Sequence, residues 1–530
     1  MSTVLHHPLL GTVRGRVGVG VVQFLGLQYA TLKDRLAEPE LKTTYGAGET
    51  DATRLGPQVI SPPTGCEDEF NLIQQTLPLD QPAFETSDRD GLLVNITAPD
   101  GAAYLPVLVF LHGGGFRTGS NMWPQYDLAR LVSLAAELGT PFVGVVVSYR
   151  VGVPGFLTSK ELQDAGYKPN NGLRDQRTAL LWVQQFIHGF GGNPARVTLA
   201  GQSAGAVAAM LHLQSKEPLF DQLILLSGSS LLLPPVAAEV SEAAYSRAVH
   251  ALDLEGLPSL DRIKALVDGP ETLLYEKITP DIPLLPVIDS DLVHSRPTFE
   301  TFSQGPGTIK PSLPGATWCR RLFIGDCAFD ASIFYDALDH RKAGLLDIFH
   351  KSLTTSLKDQ RAVNVLEQAY GITPGEPDYI IVRNILRWAT DIGFHAPART
   401  MAHNWPGPAF LYHINAPNPW NGLWQGEACH IMDVVLLFQN YNEQLPPEQQ
   451  VLARQFAAAI AAFAAGEEPF PSHHEKPCGA MVYGPPAASL AFIVHDNAAA
   501  FGRRDDVAKL TETCSLDAQM DAWNRFLAGQ

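Results

Sequence analysis

The sequence predicts an α/β chain built on a large, mostly parallel central sheet with helices on both faces. Three observations carry that expectation. Short apolar runs rich in β-branched residues alternate with longer segments of helical spacing through the first half of the chain. Those strand-like runs are apolar throughout, as a sheet covered on both sides requires. Two glycine-rich turns follow directly on strand-like runs, where α/β chains place their chemistry.

The elements read in order as follows. Pro106 to Leu111 (PVLVFL) is a strand ending at Gly113, Gly114 and Gly115. Phe142 to Ser148 (FVGVVVS) is a second strand. Leu173 to His188 places Leu173, Leu180, Leu181, Val183, Phe186 and Ile187 at helical spacing. Val197 to Ala200 is a short strand running into GQSAG, Ala206 to Leu213 is helical, and Leu223 to Leu226 is the next strand. Residues 231–304 differ: helical pieces around Val240 to Leu252 and Leu260 to Val267 lie among prolines, which reads as an insertion forming a cap or gorge wall. Sheet-like runs return at Arg321 to Ile324, Ala409 to Ile414 and Ala491 to Val494, and Leu516 to Leu527 closes with an amphipathic helix. No repeat or long linker divides the chain, so residues 1–530 are expected to form one domain.

Composition excludes several classes of function. The chain has 530 residues, 45% hydrophobic and 18% charged, an ordinary globular balance. Its formal net charge of −17 argues against nucleic acid or an anionic membrane surface as partner. The most apolar run, Phe456 to Ala465, is half of the ~20 residues a membrane span needs. The start, MSTVLHHPLLGTVRGRVG, lacks a secretory pattern. The six cysteines show neither C-x-x-C nor zinc spacing. These features predict a cytoplasmic protein with free, buried thiols.

Two motifs carry chemistry. Gly201-Gln202-Ser203-Ala204-Gly205 fits G-x-S-x-G, a sharp strand-to-helix turn that lifts a serine oxygen above the sheet and needs small flanking residues. His112-Gly113-Gly114-Gly115-Phe116 follows a strand, and consecutive glycines let backbone N–H groups turn toward a ligand. Together they predict Ser203 as a nucleophile and the N–H groups of Gly114, Gly115 and Ala204 as an oxyanion hole.

With these motifs the chain resembles the type-B carboxylesterases, the α/β-hydrolase family that includes the cholinesterases. The resemblance also rests on residues 22–30 (VQFLGLQYA), Asp88 to Pro99, Ser148-Tyr149-Arg150-Val151-Gly152 with Gly155-Phe156-Leu157, Asn171 to Gln176, and Phe190 to Pro194. It implies an α/β-hydrolase fold and a Ser-acid-His triad that needs no metal or organic cofactor. The family's acid segment corresponds to Gly325-Asp326-Cys327-Ala328-Phe329-Asp330-Ala331, so the resemblance implies Asp330 as acid where the family usually has Glu, with Asp326 the competing candidate. The histidine segment corresponds to Gly426 to Asp433, implying His430. Ser227 matches a family serine near the acid, and a supporting hydrogen bond or simple turn chemistry are both open. Arg150, Arg174 and Asp175 suit buried ion pairs.

Departures from the family narrow the expected substrate. Gly91 stands where a disulfide partner of Cys66 would be, so that bridge cannot form. The Cys66 to Gly91 segment has no Trp, which removes the cholinesterase stacking site for quaternary ammonium. Gln202 replaces the family's Glu before the nucleophile. Residues 29–41 resemble intracellular fungal members. The implied activity is hydrolysis of a small-molecule carboxylic ester, neutral or acidic, such as a hydrophobic metabolite ester or lactone. Two other readings keep the same fold: triad-dependent acyl transfer, thioester cleavage or a non-hydrolytic biosynthetic step, and a non-catalytic binding protein.

Overall fold

The computed structural model describes residues 1–46, 48–79, 84–278, 282–303, 313–339, 344–475, 478–485, 491–494, 506–507 and 510–530. One 13-stranded sheet runs through them. Its centre is seven parallel strands in the order Val143–Val147, Leu105–Leu111, Gly192–Gln202, Gln222–Leu226, Arg321–Cys327, Ala409–Ile414 and Gly479–Tyr483. These strands are almost wholly buried; in Leu105–Leu111 only the first residue keeps partial exposure. Continuous apolar sequence thus reflects cover on both faces.

The two edges are antiparallel. Ser2–His7, Gly11–Val17, Val21–Gln28 and Leu93–Pro99 pair in succession, and Leu93–Pro99 joins the centre against Val143–Val147. At the far edge Ala491–Val494 runs antiparallel to Gly479–Tyr483. The outer strands alternate exposed and less exposed positions, as one-sided cover dictates.

Helices fill the connections. Asn171–Phe186 buries twelve of its sixteen residues and precedes the strand that carries Ser203. Its Asp175 holds Arg150 through two side-chain bonds of 2.8 and 2.7 Å, with both groups buried. Arg174 does not join that pair; it reaches Glu38 and Asp291 at 3.0 and 2.7 Å. The 231–304 region contains the helices Ala238–Ala251, Ser259–Asp268, Glu271–Glu276 and Phe299–Phe302. It contacts the stretch after the glycine turn: the Arg117 guanidinium donates to the Ile278 and Ile282 carbonyls at 3.0 and 2.9 Å. Among the described residues no helix is long and apolar enough to cross a membrane. All six cysteines are free thiols. The Asn95 side chain is buried between the Gly26 N–H and the Asn121 carbonyl, so its N-x-T sequence lies inside the sheet.

Candidate active site

The turn at Ser203 is set by backbone sterics. Ser203 has φ 54° and ψ −123°, between Gly192–Gln202 and the helix Ala204–Leu211. A non-glycine residue there stores about 1–3 kcal/mol of strain, which its surroundings must hold. The Ser203 N–H donates to the Leu226 carbonyl at 2.9 Å. A Cβ at Gly205 would lie 2.2 Å from the Leu111 carbonyl oxygen, and one at Gly228 2.3 Å from the Ser203 carbonyl oxygen. Only glycine lets these backbones approach, so the small residues are packing requirements of the turn. The helix begins at Ala204, whose N–H therefore has no intrahelical acceptor.

The glycine turn is equally constrained. Gly114 and Gly115 have φ of 99° and 60°. A Cβ on Gly113 would meet Ser203 Cβ at 3.1 Å, which places this turn against the serine. His112 is fully buried, stacked on Tyr149 at 4.2 Å, with Nδ1 2.9 Å from the Gly113 carbonyl. Burial pulls its imidazole down to about 4, so it is neutral at pH 7.

Beyond Arg321–Cys327 the chain makes a tight helical turn over Asp330–Phe334. This brings the Asp330 Oδ1 within 2.7 Å of His430 Nδ1, while Oδ2 accepts from the Cys327 N–H at 2.7 Å. Burial pushes the Asp330 carboxyl up, and the bond from His430 works against that shift. His430 lies just before the helix Met432–Phe438, and its N–H donates to Ser332 Oγ at 3.1 Å. The Phe329 N–H donates to the Ala428 carbonyl at 2.8 Å, so the acid and histidine segments are fastened to each other.

The other ring nitrogen, His430 Nε2, is 3.1 Å from Gln202 Nε2. With the Nδ1 proton given to Asp330, Nε2 is an acceptor and the Gln202 amide donates to it. In this state the contact comes from Gln202 and not from Ser203 Oγ. Resting sites often hold such bonds long and tighten them on substrate binding.

Asp326 does not belong to this group. It sits within the strand and pairs with His413 on the neighbouring strand. Ser227 does not bond Asp330 either. Its hydroxyl lies 3.6 Å from Cys327 Sγ and bonds Asp433, whose carboxyl is pushed up to about 6 by burial and by the Asp330 charge. Sequence reasoning missed Glu69. This buried carboxylate accepts from Tyr126 Oη at 2.6 Å and Gln125 Nε2 at 2.9 Å, and Tyr126 is in turn tied to the Gly113 backbone. Burial raises the Glu69 carboxyl, and the hydrogen bonds from Tyr126 and Gln125 and the nearby His430 work against that rise. Nothing in the sequence around Glu69 marks it, because its role comes from tertiary contacts.

The family model for carboxylesterases matches residues 2–481. The chain belongs to the carboxylesterase family. This carboxylesterase is 28% identical to lipase 3 of Yarrowia lipolytica over 85% of the chain and 86% of that protein. It is 26% identical to the para-nitrobenzyl esterase of Bacillus subtilis over 88% and 92%. Over 41% of the chain it is 38% identical to a probable N-octanoylanthranilate hydrolase of Rhodococcus erythropolis, spanning 44% of that protein. A solved PNB esterase superposes with a TM-score of 0.73 at 21% identity, covering 97% of this chain and all of that one, which shows the α/β-hydrolase fold. The carboxylesterase is a carboxylic ester hydrolase.

Proposed function

We propose that Ser203, His430 and Asp330 form the catalytic triad of this hydrolase, and that Gly114, Gly115 and Ala204 supply the oxyanion hole. The observation that carries the reading is the strained Ser203 turn packed beside a buried His430–Asp330 pair. Ester binding displaces the Gln202 amide from His430 Nε2, and the Ser203 hydroxyl takes its place. His430 accepts the serine proton as Oγ attacks the acyl carbon, then donates it to the leaving alcohol. Asp330 fixes the Nδ1–H tautomer and stabilises the imidazolium. Water repeats the cycle on the acyl-enzyme. Each N–H donor to the oxyanion contributes about 3 kcal/mol to the transition state.

The preferred substrate is a neutral or acidic ester of a small hydrophobic acid or alcohol. The support is the neutral Gln202 beside the acyl centre and the absence of Trp between Cys66 and Gly91. The 231–304 region acts as the gorge wall over the site, and residues 1–530 act as one catalytic domain. The similarity to an N-octanoylanthranilate hydrolase favours amide cleavage as a second reading.

The test pairs a fluorophosphonate label with p-nitrophenyl esters of graded acyl length. Labelling and turnover are expected in the wild type and absent in Ser203→Ala. Equal labelling of the two proteins removes the nucleophile assignment. Adding alcohol acceptors separates hydrolysis from acyl transfer, since a transferase diverts product to the new ester.

A further inference from the structure

A second cluster of chemistry-bearing side chains lies behind the site just described. Asp326 comes from the strand Arg321–Cys327, His413 from the adjacent strand Ala409–Ile414, and His395 from a turn of π-helix at Asp391–His395. All three are buried, at 0%, 0% and 2% exposure. The carboxylate lies between the two imidazoles. His413 Nδ1 is hydrogen-bonded to Asp326 Oδ1, and His395 Nδ1 stands 3.7 Å from Oδ2. One ligand atom from each lies within 4.8 Å of the others, and the two rings are 4.8 Å apart at 48°.

We propose that Asp326, His395 and His413 form a binding site for a divalent transition metal of the zinc class. Two imidazoles and one carboxylate are a ligand set such ions take with three protein ligands and one open position. At metal–ligand bonds of about 2.0–2.1 Å, tetrahedral neighbours lie roughly 3.3 Å apart. The His395–Asp326 separation of 3.7 Å is near that edge length and longer than a hydrogen bond. The His413–Asp326 contact is shorter than the edge, so metal takes the place of the proton those groups share and the pair opens to admit it.

The surroundings also fit. A cavity of about 360 Å³ has His395 in its wall, together with Thr400, His403, Asn404 and Ser303, and gives a route for the ion and room for a fourth ligand. The negative charge of Asp326 acts on the nearby Asp330, so the region already concentrates carboxylates that offset a buried cation. A π-turn delivering one ligand accords with the tendency of such turns to mark functional positions.

The site is tested with Zn²⁺ and Co²⁺ on chelator-treated full-length protein at neutral pH. Equilibrium dialysis is expected to give one Zn²⁺ per chain. His395→Gln and His413→Gln should each weaken binding by at least about 100-fold, since even an outer-shell partner is worth 10–100-fold. Ser203→Ala should bind as the wild type does. A double His473→Gln, Cys478→Ser variant should bind too, which excludes the Cys478–His473 pair, whose Sγ and Nε2 are 3.3 Å apart. Because a ligand variant can fail to fold, Co²⁺ bound to the wild type gives an independent readout. Tetrahedral visible bands with no thiolate charge-transfer band are expected. No stoichiometric binding, binding unchanged in both folded histidine variants, binding lost in the Cys478 double variant, or a thiolate band overturns the proposal.

Discussion

Replacing Asp330 by Asn separates the two candidate acids. Each Asp330 oxygen faces one donor, His430 Nδ1 and the Cys327 N–H, both at 2.7 Å. Asparagine keeps one acceptor and adds a donor of its own. If its oxygen stays on His430, the amide NH₂ meets the Cys327 N–H inside the protein, which costs about 1–3 kcal/mol for the stranded groups. A backbone N–H cannot shed its proton, whereas an imidazole can change tautomer. The oxygen therefore turns to Cys327, and His430 carries its proton on Nε2. That tautomer cannot accept the Ser203 proton. A triad held in the wrong tautomer loses about 10⁴ in kcat, which is about 5.5 kcal/mol of transition-state stabilisation. The assay is steady-state hydrolysis of p-nitrophenyl butyrate, with wild-type, Asp330→Asn and Asp326→Asn proteins matched by thermal melts. Asp330→Asn is expected to fall by about 10⁴ in kcat with KM little changed, and Asp326→Asn to fall far less. Asp330→Asn within tenfold of the wild type, with Asp326→Asn crippled, would refute the assignment and the tautomer argument together.

Three further outcomes follow from the same contacts. Gly228→Ala places a Cβ 2.3 Å from the Ser203 carbonyl oxygen, so the serine turn must shift; kcat for p-nitrophenyl esters should drop by about 100-fold, the scale of a 1 Å misplacement, while the protein still folds by circular dichroism. Acid should destabilise the fold through His112, whose folded value of about 4 lies below the unfolded 6.5. The unfolded chain binds the extra proton in that window, so stability rises with pH from 4 to 6.5 and is lost on acidification, by about 3 kcal/mol from this group at about 1.4 kcal/mol per unit; urea midpoints at pH 7 and 4.5 measure it, and His112→Gln should flatten the slope if it folds. Burial pushes the Cys66 thiol up to about 12, and the other buried cysteines lie in similar surroundings; Ellman's reagent should find six thiols after unfolding without reductant, with Cys66 silent in the native protein.

The sequence exposed those parts of the fold in which each residue has one environment. The runs at Ala409–Ile414 and Ala491–Val494, and the helix Leu516–Leu527, have the predicted bounds. The central strands were legible because both their faces are covered and apolar residues dominate them, with Asp326 and His413 among the polar exceptions. The N-terminal strands were not. Ser2–His7 and Gly11–Val17 carry His, Arg and Thr on their open face and look like turns when read locally. Their pairing, Ser2 with Arg16 through His7 with Gly11, is a property of register that local composition does not express. Gly479–Tyr483 escaped for a related reason: it is five residues long and begins with glycine, and only its neighbours make it a strand.

The site divides along the same line. The Ser203 turn and the glycine turn were visible because such turns need particular local backbones, and glycines at 114, 115 and 205 are the trace those backbones leave. The acid was ambiguous because Asp326 and Asp330 are only four residues apart, and both face histidines. What distinguishes them is where the strand ends. Asp326 is still inside it, locked into register beside His413 on the next strand. Asp330 lies past its end, in a helical turn whose Cys327 N–H holds one carboxylate oxygen while the other reaches His430. That turn also answers the shorter side chain: an aspartate reaches the imidazole because the backbone bends toward it and the Phe329–Ala428 bond draws the two segments together. Gln202 and Glu69 extend the point. The residue before the serine is uncharged, yet a buried carboxyl, Glu69, far away in sequence, lies close enough to feel His430. Charge around the imidazole is therefore a property of the folded site, and motif matching at position 202 alone misjudges it.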